Sequence, residues 1–163
     1  MNIIAETSRL IIRFFDADEE DIYLSLYKDE RVMLYLPYRS NEEHRRIFMD
    51  NLKPGDGIIG RWGIFSRADG DFIGMCLLRL FDDGSDSIEL GYAIGYNYWG
   101  KGIASEMAIA LLAWAFKIKP DAKFVAVTDL ANIPSQRVLE KAGMQRDGNY
   151  IRHGEDLALF RMG

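Results

Sequence analysis

Between Ile88 and Ile118 the hydrophobic period changes from two to 3.6 across a loop containing Gly95, Gly100 and Gly102, and the rest of the chain has to build around that change. In Ile88-Glu-Leu-Gly-Tyr-Ala-Ile94, residues Ile88, Leu90, Tyr92 and Ile94 face one side of a strand and Glu89, Gly91 and Ala93 the other. Ile103, Met107, Leu111, Trp114 and Ile118 fall close to one face of a helix predicted from about Gly102 to Ile118. A strand that runs through a glycine loop into a helix belongs in a layered domain, with helices packed on a sheet.

The loop itself, Gly95 to Glu106, narrows the chemistry. Gly95, four residues and then Gly100-Lys101 match the start of a nucleotide-binding P-loop, but Gly102 stands where Ser or Thr would bind magnesium. The dinucleotide pattern also breaks, because Ser105 replaces its third glycine. Two glycines ahead of a helix start still let the backbone approach an anion. The open alternatives are a phosphate held without magnesium and a tight turn with no ligand.

Around this centre, residues 7–15 are predicted as a first strand, Asp18 as the N-cap of a helix reaching Lys28, and Asn41 as the start of a helix that stops at Pro54-Gly55. Residues 58–67 and 72–81 flank Ala68-Asp69-Gly70-Asp71, which marks a hairpin, and Asp82 to Ser87 turns into the strand at Ile88. A strand at 123–130, a helix from about Asn132 to Ala142 stopped by Gly143, and a hairpin turning at His153-Gly154 complete the chain. The expected fold class is α+β, layered in the manner of α/β domains, with a mixed and mostly antiparallel sheet.

The 163 residues, 48% of them hydrophobic, suffice for one core, and no Gly/Ser-rich linker, charge block or repeat divides them, so residues 1–163 are expected to form a single domain. A net charge of -5 argues against generic DNA or RNA binding and mildly favours cationic partners, amines included. The first residues lack a secretory pattern, and the apolar run Met107 to Phe116 is too short to span a bilayer. Cys76 stands alone, and with His44 and His153 it makes no metal-ligand spacing. The expectation is a metal-free protein of a reducing compartment, cytoplasmic and away from membranes.

Four segments then carry a resemblance. Trp99 to Ala108, WGKGIASEMA, looks like motif A of the GNAT superfamily of acyl-CoA-dependent N-acyltransferases, whose pattern is Gln/Arg-x-x-Gly-x-Gly/Ala; Gly102 and Ala104 fill the small positions. Trp99 in place of Gln or Arg is a departure shared with the RimJ/RimL-like subgroup, to which TSRLIIR (7–13), IELGYAI (88–94) and NIPSQRVLEKAGM (132–144) are also similar, in the expected order. Met144 replaces the commoner Phe. The resemblance implies a central sheet splayed between its fourth and fifth strands, with acetyl-CoA in the opening. It implies that Ile94 offers backbone hydrogen bonds to the pantetheine arm and that Trp99, Gly100, Lys101, Gly102, Ile103 and Ala104 wrap the pyrophosphate. Asn132 and Ser135 line the thioester end, and Arg137 or Lys141 reaches the phosphates.

Attack by an amine on a thioester needs a neutral amine, a stabilised oxyanion and a proton for the departing thiolate. At pH 7 a chain N-terminus of pKa near 8 costs about 1.4 kcal/mol to deprotonate, whereas an amine near 10.4 costs about 4.6 kcal/mol. Glu89 is the candidate base; the alternatives for it are a solvated carboxylate and a salt bridge. Ser135 is the candidate donor to the thiolate, because Leu139 stands where relatives carry Tyr; the alternative is a serine that satisfies backbone donors in a first helical turn. Asn132 is a CoA contact, an N-cap, or both. Tyr35, Tyr38, Trp62 and Tyr150 are either acceptor-pocket walls or core, Cys76 is a buried small hydrophobe, and residues 16–21 form a solvated acidic helix start. The expected activity is direct transfer of an acetyl group to a primary amine in a ternary complex, with a protein N-terminus as acceptor. The alternatives are a small amine such as a polyamine or aminoglycoside, and a non-catalytic acyl-CoA sensor. The expected assembly is a monomer or homodimer.

Overall fold

A computed structural model of the chain describes residues 2–55 and 57–163. Eight strands form one sheet: β1 (Ile3–Glu6), β2 (Leu10–Arg13), β3 (Gly60–Ser66), β4 (Phe72–Leu80), β5 (Ile88–Ile94), β6 (Phe124–Asp129), β7 (Gln145–Arg152) and β8 (Glu155–Met162), in the order β1-β2-β3-β4-β5-β6-β8-β7. Every neighbouring pair is antiparallel except β5 and β6. The helices are α1 (Glu20–Leu26), α2 (Glu30–Met33), α3 (Asn41–Asp50), α4 (Ile103–Ile118) and α5 (Ile133–Lys141).

The two faces of β5 divide the core as its alternation predicts. Ile88, Leu90, Tyr92 and Ile94 pack with Ile103, Met107 and Leu111 of α4 and Leu139 of α5. Ala93 packs on the opposite face with Phe15, Met75, Leu77, Tyr23 of α1 and Phe48 of α3. The parallel pair holds only at Ile88 with Phe124 and Glu89 with Val125, after which β5 and β6 diverge. The splayed pair is thus the one expected, displaced by one in number because a strand precedes it.

That extra strand is the main correction at the N-terminus. Residues 7–15 do not form one strand: β1 and β2 pair across a turn at Thr7, whose hydroxyl accepts from the amide of Leu10 at 2.9 Å. Asp16, not Asp18, heads the following helical segment, because its side chain and that of Glu19 cap each other's backbone reciprocally. Ser40 caps α3 in the same way with Glu43, and α3 ends at Asp50, ahead of Pro54. At the C-terminal hairpin, His153 and Gly154 have φ of 50° and 79°, the left-handed pair a two-residue turn requires.

Candidate active site

The glycine loop is built to leave amides bare. Gly100 and Gly102 have φ of 73° and 76°, and Gly102 occupies the N-cap position of α4, so no side chain caps that helix. The amides of Ile103 and Ala104 therefore point from the positive end of a helix of 16 residues. Lys101 is exposed beside them.

Residues far away in sequence brace the loop. Arg9 donates through Nη1 to the Lys101 carbonyl at 2.9 Å and through Nε to Glu106 at 2.9 Å, while the Thr7 hydroxyl donates to the other Glu106 oxygen at 2.5 Å. Burial raises the Glu106 pKa, but the bonds from Thr7 and Arg9 outweigh it and hold the carboxyl below its ordinary value. Sequence reasoning read residues 7–15 as a strand and 7–13 as part of a resemblance, and did not find this brace. Ninety-nine residues separate Thr7 from Glu106, so no local pattern marks it.

The β5 edge faces the opening. The Gly95 amide donates to Ile73 on β4, and the Ile88 amide donates to Lys123 ahead of β6. Because an antiparallel strand alternates its backbone groups between two sides, Leu90, Tyr92 and Ile94 present theirs toward the splay. Ile94 was the one singled out from sequence, yet its carbonyl already accepts from Trp99 Nε1 at 2.8 Å. The indole that replaces Gln or Arg thus folds back on the strand it follows, with Tyr96 edge-on at 5.0 Å.

At the far side of the opening, Asn132 Oδ1 accepts from the Ser135 amide at 3.3 Å and caps α5. Ser135 Oγ lies 2.8 Å from the Tyr92 hydroxyl, which sequence reasoning placed on the strand face opposite Glu89 without giving it a role. Burial pushes the Tyr92 phenol up, against the Ser135 hydrogen bond. Arg137 and Lys141 are exposed one helical turn apart on α5.

Glu89 lies on the opposite face and, of its alternatives, the structure shows the salt bridge. Its side chain is only 5% exposed; Oε1 accepts from Arg152 Nη2 at 2.8 Å and Arg79 Nε at 3.3 Å, and Oε2 from Arg152 Nη1 at 3.1 Å and Arg79 Nη2 at 3.2 Å. Arg152 also binds Asp82, whose carboxyl it holds down at about 2 with help from Tyr150. The small residues beside Glu89 do not leave an open floor: a Cβ on Gly91 would stand 3.2 Å from the Leu77 side chain, and Ala93 is buried.

The aromatic candidates separate. Trp62 is 1% exposed and packs against Trp114 and Phe14 on the α4 face, so it is core and no part of an acceptor pocket. Tyr150 bonds Asp82 and stacks on Phe81 on the Glu89 side, Tyr38 is 88% exposed, and Cys76 is buried with its thiol pushed up. A groove of about 210 Å³ runs between α1–α2 and residues 95–98, lined by Ser25, Asp29, Arg31, Gly95 and Tyr96.

An opening with bare helix-end amides at one end and paired hydroxyls at the other suits an enzyme that works on an acyl-CoA thioester. Residues 9–145 match the Acetyltransferase (GNAT) domain, and the chain belongs to that family. It is an N-acetyltransferase that draws its acetyl group from acetyl-CoA. The chain is 33% identical over 143 residues to an uncharacterized N-acetyltransferase, YnaD, of Bacillus subtilis (strain 168), covering 87% of this chain and 82% of that protein. It superposes on the GNAT-family acetyltransferase from Bacillus anthracis with a TM-score of 0.82 and 28% identity, covering 99% and 98% of the two chains. The fold is also that of RimL, a ribosomal L7/L12 alpha-N-protein acetyltransferase solved with coenzyme A (TM-score 0.78, 19% identity, 99% and 97% covered). The spermidine N-acetyltransferase from Vibrio cholerae, solved with CoA and spermine, is equally similar (TM-score 0.77, 19% identity, 96% and 96% covered).

Proposed function

We propose that the chain is a RimJ/RimL-like enzyme whose acceptor is the α-amino group at a protein N-terminus. The observation that carries this is the state of Glu89. All four of its hydrogen bonds come from arginines, which leave it no free lone pair for a substrate proton. Without a free base on that face, an acceptor that is partly neutral by itself has the advantage, by about 3.2 kcal/mol for an N-terminus over a polyamine nitrogen at pH 7. Glu89 then serves as the anchor that draws Arg152 and the terminal hairpin onto the cleft. This departs from the base role the sequence suggested.

Acetyl-CoA supplies the activated acyl group when bound. The amides of residues 102–104 hold its pyrophosphate, the backbone of Leu90 and Tyr92 pairs with its pantetheine arm, and Trp99 yields the Ile94 carbonyl to the same arm. Lys101, Arg137 and Lys141 add charge from the rim. Ser135 donates a hydrogen bond toward the departing sulfur while accepting one from Tyr92, so two hydroxyls share the developing negative charge. Asn132 fixes the first turn of α5 and with it the position of Ser135.

The test is thiol release from acetyl-CoA with N-terminal peptides, polyamines and aminoglycosides in parallel, with acetyl-CoA binding followed by calorimetry. Peptide turnover that rises with pH toward about 8, where the N-terminal amine is half neutral, is the expected result. Preferred turnover of spermidine or an aminoglycoside would replace this acceptor with a small amine. Binding with no turnover on any amine would make the chain an acyl-CoA sensor.

A further inference from the structure

On the face of the sheet that carries Glu89, β3 contributes a guanidinium in an unusual setting. Arg61 is only 8% exposed, yet no carboxylate among the described residues pairs with it. Its contacts run through Nη1 alone: the Tyr23 hydroxyl at 3.3 Å, the Tyr27 hydroxyl at 3.4 Å and the Met75 sulfur at 3.9 Å. Nε and Nη2 have no partner among the described residues, and neither is sealed from solvent; the fully enclosed side-chain nitrogens without partners are those of His44 and Trp62. A nearly buried cation that meets only neutral acceptors is costly unless something anionic completes it.

The surroundings add to that field. His44 is 5% exposed, stacks on Tyr27 at 4.0 Å and leaves both ring nitrogens unbonded. Burial lowers its pKa, and the charges of Arg39 and Arg61 lower it further. Elsewhere on this face the charges cancel, since Arg79 and Arg152 are matched by Glu89 and Asp82. Arg61 is the charge left over. It is in register with Leu77, and Leu77 with Gly91, so its backbone stands about 10 Å from the cleft strand, two inter-strand spacings away.

We propose that Arg61 is the binding site for a carboxylate carried by the acceptor, close to the amine that is acetylated. The acceptor class is therefore an acidic amine, and a chain beginning with an acidic residue at its first or second position fits it. A polyamine would bring further positive charge to an arginine that already lacks a counter-ion. The overall charge of -5 suggested a cationic partner, but the unpaired charge at Arg61 has the opposite preference. The proposal rests on the N-terminal acceptor reading above.

The experiment measures kcat/KM for peptides with Asp or Glu, Gln, or Lys at the second position, together with free aspartate and glutamate, on the wild-type protein and on Arg61→Gln and Arg61→Lys. The expected wild-type ranking places acidic over neutral over basic, with about a tenfold or larger span, the size of a charged hydrogen bond. Arg61→Gln removes about tenfold or more from the acidic peptides and leaves neutral peptides within about threefold, while Arg61→Lys retains part of the preference. Unchanged acetyl-CoA affinity and melting temperature show that the variants are folded. A flat ranking, a basic preference, or an equal loss on all peptides in Arg61→Gln overturns the carboxylate site and leaves the N-terminal reading standing. Turnover of free aspartate or glutamate in preference to peptides, with the same Arg61 dependence, keeps the site and overturns the N-terminal reading.

Discussion

At the scale of single residues the decisive contact is the 2.8 Å hydrogen bond between Ser135 and Tyr92. A serine hydroxyl is too weak an acid to hand over its proton by titration, so its use to a departing thiolate depends on what lies behind it. The Tyr92 phenol is raised by burial, and in the proposed reading it is the donor of this pair. Ser135→Ala is expected to lower kcat about 10²-fold, the loss of one preorganised donor, and Tyr92→Phe about tenfold, or about 1.4 kcal/mol. Acetyl-CoA affinity should hardly change in either. The double variant should fall to about the level of Ser135→Ala, because Tyr92 acts only through the serine. Single-turnover kinetics with calorimetry checks all three, and additive losses would separate the two hydroxyls.

At the scale of elements, the proposed pyrophosphate site depends on one backbone conformation ahead of α4. Gly102 sits at φ 76°, where an added Cβ costs about 1–2 kcal/mol. Gly102→Ala is therefore expected to lower the melting temperature modestly and to weaken acetyl-CoA binding by about tenfold as the first amides of α4 turn away, read by thermal melts and calorimetry. This element was legible in sequence because its signals are local: alternation in β5, two glycines, then a 3.6 period. The hairpins at Gly70 and at His153-Gly154 were legible for the same reason. β1 was not, since Ile3–Glu6 shows no alternation and is defined by its pairing with β2. The four-residue α2 escaped because it is shorter than any period that could reveal it. The candidate site divides likewise. Gly100, Gly102 and Asn132 announce themselves by type and spacing, whereas Tyr92 with Ser135, Arg9 with Glu106, and Arg152 with Glu89 meet across 43, 97 and 63 residues.

Over the whole molecule, one ion-pair network joins the two halves of the splayed sheet. Arg79 and Asp82 lie on and just after β4, Glu89 on β5, and Arg152 on β7 at the opposite edge. Two arginines against two carboxylates keep the network neutral while Glu89 is almost buried, and its removal in part is costlier than its absence would be. Arg152→Gln leaves Glu89 with Arg79 alone and Asp82 without a cation, and should destabilise the fold by about 3 kcal/mol at pH 7. Acid acts on the same place. The Asp82 pKa falls from 3.8 to about 2 in the folded state, so its contribution is fully present above pH 3.8 and is lost as pH drops through 2. Stability measured by denaturant titration should thus fall between about pH 4 and pH 2 in the wild-type protein. The same measurement on Arg152→Gln should show a shallower fall, because Asp82 no longer has a depressed pKa to lose. Parallel pH profiles in the two proteins would mean that acid sensitivity arises elsewhere and that this network does not hold the C-terminal hairpin to the cleft.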